Sequence, residues 1–293
     1  MPVLATPLNP QTTFWRIVTG CFLTLIHAAP VLALARGTSS EDWLVLAFSF
    51  PVLSFACAAG LHRYFAHRSF QTSRAFQFLI GLTAAAAFGD PMAFAARHRL
   101  HHALSDTDRD VHSPNQGFLY CWFGTLLDYG VSENEVRRLV PDIAVYPEMV
   151  WLHRLFFVPG VVAGLTIWMA GGFGAFAIGY CGACVLIVNI GSAVNYFGHK
   201  RWTRRYNTSD NSANNPLVAI LSLGEGWHNN HHHYPAACHA GFFWWEIDIL
   251  YYEIKLLAWL GLVWDLKMVP TRARRELLRL SKNERAPLRR LGA

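Results

Sequence analysis

Charge is what this chain has least of. Asp, Glu, Lys and Arg make up 15% of its 293 residues, where a soluble domain carries about a quarter. That shortage argues against a freely soluble globular domain. Cysteine is sparse and scattered, at Cys21, Cys57, Cys121, Cys181, Cys184 and Cys238, which gives no disulfide framework. Cys181-Gly-Ala-Cys184 has redox-motif spacing but lies inside an apolar run, where small residues serve close helix packing. The N-terminus lacks the basic stretch of a cleaved signal peptide. A nucleic-acid motif is also missing, so the pI of about 9.1 reads as attraction to anionic lipid head groups.

In place of charge there is apolar surface. The chain is 53% hydrophobic, with 20 Phe and 11 Trp, and its mean hydropathy is +0.22. Four stretches, 14–35, 43–61, 151–169 and 171–194, are long and apolar enough to cross a hydrocarbon core of about 30 Å. Short loops join them in two pairs, so they predict two helical hairpins. The long polar segments, 62–149 and 199–270, then lie on one side with the basic tail 271–293. Of the 25 Lys and Arg, all but Arg16 and Arg36 fall in or beside those segments, which places that side in the cytoplasm. The predicted fold is therefore an all-α membrane protein of one domain, 1–293, with four transmembrane helices and a cytosolic helical cap. Arg74–Ala96 is broken by Gly89-Asp90-Pro91 and reads as two helices at the interface or against the bundle. Phe242–Trp264, with Glu246, Asp248, Glu253 and Lys255, reads as an interfacial helix. The arginine-rich tail reads equally as an interfacial or partner-docking segment and as a solvated one.

Histidine is plentiful: 14 residues, of which nine fall in four compact groups at or just beyond helix ends. These are His62 and His67 in HRYFAH, His98, His101 and His102 in HRLHH, His199 in NYFGH, and His228, His231 and His232 in HNNHH. On a helix, positions i, i+3 and i+4 share a face, so each HxxHH set points together. His62 and His67 are about 140° apart on an ideal α-helix and cannot face one ion unless the helix ends or distorts. One zinc ion takes three or four protein ligands. Nine imidazoles instead suit two metals of higher coordination number, and imidazole alone does not choose among iron, copper, zinc and nickel. Glu225, Asp106, Asp108 and Asp110 are the carboxylates that could fix imidazole tautomers, and Asp108 reads equally as a helix-capping or solvated residue. His27, His112, His153, His233 and His239 are read as non-ligands. A transporter or metal sensor is the competing class, but its ligands belong near the bilayer midplane, and here they gather outside the spans.

These boxes, with GEGWHNNHHHYP, HRLHHALSDTDRDVHSP and WWEIDILYYEIKLLAWLGLVWDLK, resemble the membrane fatty acyl desaturases, in the bacterial-type branch similar to stearoyl-CoA delta-9 desaturase. The resemblance runs from about Gly60 to Lys267. It implies two irons in the cap, which zinc can replace during purification, with His62, His67, His98, His101, His102, His199, His228, His231 and His232 as ligands and Asn195 reaching one metal through a water. It implies a dioxygen-dependent reaction that removes two hydrogens from adjacent methylenes of a saturated long-chain acyl substrate and leaves a cis double bond, at delta-9. Related membrane hydroxylases, ketolases and decarboxylases share such boxes and are the alternative. Arg97 and Arg99 fall where relatives hold the substrate head group, but the sequence there departs from the acyl-CoA enzymes. The carrier, an acyl thioester or an acyl lipid, is thus left open. No haem or flavin domain is fused, so electrons come from a ferredoxin or small haem cytochrome with its NAD(P)H reductase.

Overall fold

The computed structural model describes residues 10–127, 132–200 and 202–276. They form a mostly helical molecule. Its elements begin with α1 (Pro10–Arg36), α2 (Ser40–Phe55), α3 (Arg74–Ala86), α4 (Pro91–Leu104) and α5 (Thr125–Leu127). Next come α6 (Glu133–Leu139), α7 (Pro141–Ala144), α8 (Pro147–Arg154), α9 (Phe157–Gly174) and α10 (Gly182–Phe197). The chain ends in α11 (Pro216–Leu221), α12 (His228–His233), α13 (Ile249–Trp259) and α14 (Thr271–Arg275). Three stretches are π-helical: Ala56–Ala66 continues α2, Tyr120–Gly124 leads into α5, and Ala175–Cys181 leads into α10. The extended structure among the described residues is a two-stranded ribbon of β1 (Gln71–Thr72) and β2 (Val263–Trp264), with isolated bridges joining Asn214 to Thr203 and Trp227.

Three to four helical stretches are long and apolar enough to cross a membrane. The first turn, after α1, is closed by a capping box in which the Ser39 hydroxyl accepts from the Asp42 N–H and the Asp42 carboxylate accepts from the Ser39 N–H. The continuous stretch 157–197 reverses at Gly172, whose φ of +72° is open to glycine at no steric cost. The limbs on either side lie antiparallel: Tyr180 donates to the Gly160 carbonyl (2.8 Å) and Trp168 stacks on Phe176. The later limb packs against α1, α2 and α9. Its Ala175–Cys181 turn is buried throughout, in a core with Ile26, Ala29 and Leu53.

Two predicted boundaries are corrected. Helix does not run from Trp151 to Met169: it ends at Arg154 and restarts at Phe157. Pro159 has no N–H for the Leu155 carbonyl, and its ring would clash there, so the chain turns at Leu155-Phe156. The Phe242–Trp264 helix begins only at Ile249. Glu246 and Asp248 are buried, not displayed on an outer face. Glu246 accepts the Phe242 and Phe243 N–H groups, and Asp248 caps α13 through the Tyr251 N–H. The stretch after Ser73 does form two helices, α3 and α4, bent by 87°, with Asp90 capping α4 through the Met92 and Ala93 N–H groups. The basic tail from 277 onward lies outside the described residues.

Candidate metal centre

The nine histidines converge from four chain segments into two adjoining groups. His62, His67, His98, His102 and His231 form one, and His101, His199, His228 and His232 form the other, with the facing side-chain atoms of each group within 4.8 Å of one another.

The π-helix brings the first pair together. The His67 N–H bonds the His62 carbonyl at 3.3 Å, an i→i+5 bond that sets residue i+5 about one turn above residue i. The 140° separation expected of an α-helix is removed, and the two rings stand 5.0 Å apart. The HxxHH sets do present one face each, but that face is shared between the groups. On α4, His98 and His102 enter the first group and His101 the second; on α12, His228 and His232 enter the second and His231 the first.

The Nε2 atoms point inward. His67 and His98 bring theirs to 2.8 Å, while His62–His231, His98–His102 and His102–His231 stand at 3.0 Å. In the second group His199–His228 is 3.0 Å and His228–His232 is 3.1 Å. Four rings have their tautomer fixed from behind, each Nδ1–H donating to a carboxylate: His62 to Glu225 (2.6 Å), His101 to Asp110 (2.9 Å), His199 to Asp106 (2.9 Å) and His232 to Asp210 (2.6 Å). Their inner nitrogens therefore carry lone pairs. Burial, reinforced by the crowding of other imidazoles, holds His67, His98, His102, His228, His231 and His232 well below the usual histidine range. Burial lowers His101 as well.

Convergent neutral nitrogens, with donors held behind them, fit metal ions. Two nitrogens about 2.1 Å from one ion and at right angles to each other are about 3.0 Å apart, and a tetrahedron would spread them to about 3.4 Å. The observed 2.8–3.1 Å separations suit the higher coordination numbers expected of the donor count.

Of the expected carboxylates, Glu225, Asp106 and Asp110 each meet an imidazole. The sequence reading missed Asp210, which lies 22 residues before His232. The signal available for it was only that the third histidine of an HxxHH set lacked a partner. It also missed Arg63, buried to 2% exposure beside its box histidine. Arg63 donates to Glu225 at 2.8 Å and to both oxygens of Asp248 at 3.0 Å. Burial alone would raise the Glu225 carboxyl, but the charge of Arg63 and the hydrogen bonds from Arg63 and His62 outweigh it and hold the carboxyl down at about 2.

Asn195 is half-buried, one helical turn before His199 on α10. Arg97 donates to the Thr125 carbonyl and hydroxyl. Arg99 is different from what the sequence suggests: all five of its donors are taken, by the Phe65, Ala66 and Leu139 carbonyls and by both oxygens of Asp142. It ties the end of the π-helix to the cap and leaves no N–H for a head group. The five remaining histidines stand outside the two groups. His27 meets Asn189, His153 pairs with Asp90, His239 bonds the Gly241 carbonyl, and His233 stacks on Tyr206 while bonding the Ala273 carbonyl. His112 comes closest, its ring 3.9 Å from that of His101.

Apolar helices carrying two convergent groups of imidazole donors, backed by carboxylates, define a helical protein with candidate membrane spans and a site that could hold metal ions. The chain belongs to the fatty acid desaturase family, whose model, Fatty acid desaturase, matches residues 41–264. It is 36% identical over 210 residues to the sn-1 stearoyl-lipid 9-desaturase of Anabaena variabilis, covering 71% of this chain and 77% of the relative. It is 32% identical over 262 residues to the sn-2 palmitoyl-lipid 9-desaturase of Nostoc sp. (strain 36), covering 87% and 90%. The icosanoyl-CoA 5-desaturase of Limnanthes douglasii is 32% identical over 282 residues, covering 91% and 78%.

Proposed function

We propose that this chain is a fatty acyl desaturase that uses dioxygen and two external electrons to place a cis double bond, at delta-9, in a saturated long-chain acyl substrate. The observation that carries this reading is the double group of inward Nε2 atoms backed by Glu225, Asp106, Asp110 and Asp210. An unactivated methylene offers acid–base or nucleophilic groups nothing to act on. Two irons, held by the nine histidines with Asn195 reaching one through a water, would supply the oxidising power. The overall change is –CH2–CH2– + O2 + 2 e⁻ + 2 H⁺ → cis –CH=CH– + 2 H2O.

The chain's own residues have three tasks. Burial keeps His67, His98, His101, His102, His228, His231 and His232 neutral and so able to act as ligands. The carboxylates hold Nδ1 protonated and aim each ring. The core around the imidazoles, with Phe65 buried inside the first histidine box and Phe94 stacked on His98, keeps bulk water from them.

The wider reading has four spans in two hairpins, the centre on the cytoplasmic face of the bacterial inner membrane, and a ferredoxin or small haem cytochrome as donor. The names of the relatives include both acyl-lipid and acyl-CoA substrates, so carrier and bond position are read from products. Expression in a desaturase-deficient host, with lipid and acyl-CoA fractions analysed separately by mass spectrometry, should give new delta-9 monoenes that the His231→Ala variant does not make. Hydroxylated or shortened chains without new double bonds would overturn desaturation, and monoenes at another carbon would overturn delta-9 alone.

A further inference from the structure

The two histidine groups are surrounded by different fixed charge. Asp106, Asp110 and Asp210 back the four-histidine group, and each of their ion pairs is with a histidine. Their remaining partners are neutral: the Asn211 N–H for Asp106, the Asp106 and His112 N–H groups for Asp110, and the Ser212 N–H and Thr208 hydroxyl for Asp210. Among the described residues the five-histidine group is backed by Glu225 alone, and Glu225 is paired with Arg63. Arg63 also meets Asp248, whose carboxylate faces away to cap α13 and to accept the Ala240 N–H. The Arg63–Glu225–Asp248 triad sums to one negative charge, against three for the aspartates.

Fixed negative charge beside a metal favours its more highly charged state, and in a buried site that preference is not screened away. We propose that the two metal positions are electrostatically unequal by construction: the four-histidine position is built for the more highly charged ion, the five-histidine position is the easier to reduce, and Arg63 is the positioning residue that sets the difference. Arg63 touches no inward nitrogen. It acts through Glu225 on His62, the one ring of its group that has a carboxylate behind it among the described residues. This inference rests on the two-metal reading of the site.

The test is a redox titration of the purified, iron-loaded full chain with dithionite, followed by electron paramagnetic resonance, after iron per chain has been measured. The wild type should take up its two electrons in two separate one-electron steps. Asp210→Asn removes a negative charge from the four-histidine side. It should raise the lower step by about tenfold in its reduction equilibrium, ~59 mV for one electron, and leave the upper step in place. Arg63→Gln removes the positive charge from the other side and should lower the upper step, so the two variants narrow the gap from opposite ends. General loosening of the site would not move separate steps in opposite directions. If Arg63→Gln does not fold, Asp210→Asn and Asp110→Asn decide the matter, since both must act on the lower step. Two irons per chain with both steps moving together would overturn the inference and leave the two-metal site standing. Fewer than two irons in the wild type would overturn both.

Discussion

The imidazole–carboxylate pair is the smallest unit that this site repeats. A carboxylate behind a ligating histidine is worth about 10–100-fold in metal affinity, so Asp210→Asn and Glu225→Gln should each lower metal retention by that order. Competition with a graded series of chelators measures this, and a change below twofold would make the pair incidental. Burial of the imidazoles also sets a pH limit. The buried histidines titrate well below their usual 6.5 in the fold, so at lower pH the unfolded chain binds more protons than the folded one. Stability from these groups is then present above about pH 6.5 and is lost as pH falls below it. Glu225, held near 2 against an ordinary 4.5, adds a second loss of the same sign between those two values. Thermal unfolding of metal-free protein in detergent should therefore show stability falling from pH 7 to 5. A flat or rising profile would contradict the assignment. Spacing in the sequence was enough to group the two HxxHH sets, because i, i+3 and i+4 follow from helical geometry alone, while His62, His67 and His199 were marked by their places at helix ends and by the family resemblance. It could not mark Asp210, since a carboxylate that arrives from a loop has no fixed offset from the ring it meets.

At the scale of elements, the π-helix and one glycine do most of the positioning. Hydropathy makes Trp43–Leu61 an apolar run but does not reveal that its hydrogen bonds widen to i→i+5, which is what unites His62 and His67. The energy difference between α and π pitch is decided by tertiary contacts. Among these is the approach of Ile80, whose methyl group stands 2.5 Å from where a Cβ of Gly60 would be. The Phe242–Asp248 turn was hidden for a related reason: its acidic residues read as an outer polar face, while in the fold they bond backbone N–H groups and an arginine each, Glu246 with Arg205 and Asp248 with Arg63. Gly226 packs against the backbone of α11, and an added Cβ would stand 2.1 Å from the Ala219 nitrogen. Neither backbone can yield locally, so Gly226→Ala should displace α12 and cost about 1–3 kcal/mol. The expected readout is loss of bound metal together with a lowered unfolding midpoint. Retention of both metals would show that α12 is held by Asn229 and Asn230, whose amides bond Tyr206, Asn214 and Glu246.

For the whole molecule the governing relation is between the hairpin turns and the histidine layer. The turn at Gly37–Ser39 and the reversal at Gly172 lie side by side, since a Cβ on Gly174 would meet the Asp42 carboxylate and Arg36 sits over the Phe173 ring at 5.6 Å. Both turns are at the far ends of helices that lead to the ligand segments: α2 runs through the π-helix to His62 and His67, and α10 ends two residues before His199. If the histidine layer faces the cytoplasm, as proposed from the distribution of Lys and Arg, the turns must face the opposite side. Cysteine labelling decides this. Ser39 and Arg204 are both exposed, one at a turn and the other in the ligand layer. In a background with exposed Cys21 replaced by serine, Ser39→Cys should react with a membrane-impermeant maleimide in spheroplasts, and Arg204→Cys only after the membrane is opened. The reverse pattern would place the centre outside the cytoplasm and away from any cytoplasmic reductant. Labelling of both positions in sealed spheroplasts would mean that the hairpins do not cross at all, and the apolar surface of α1 and α9 would then need a different partner.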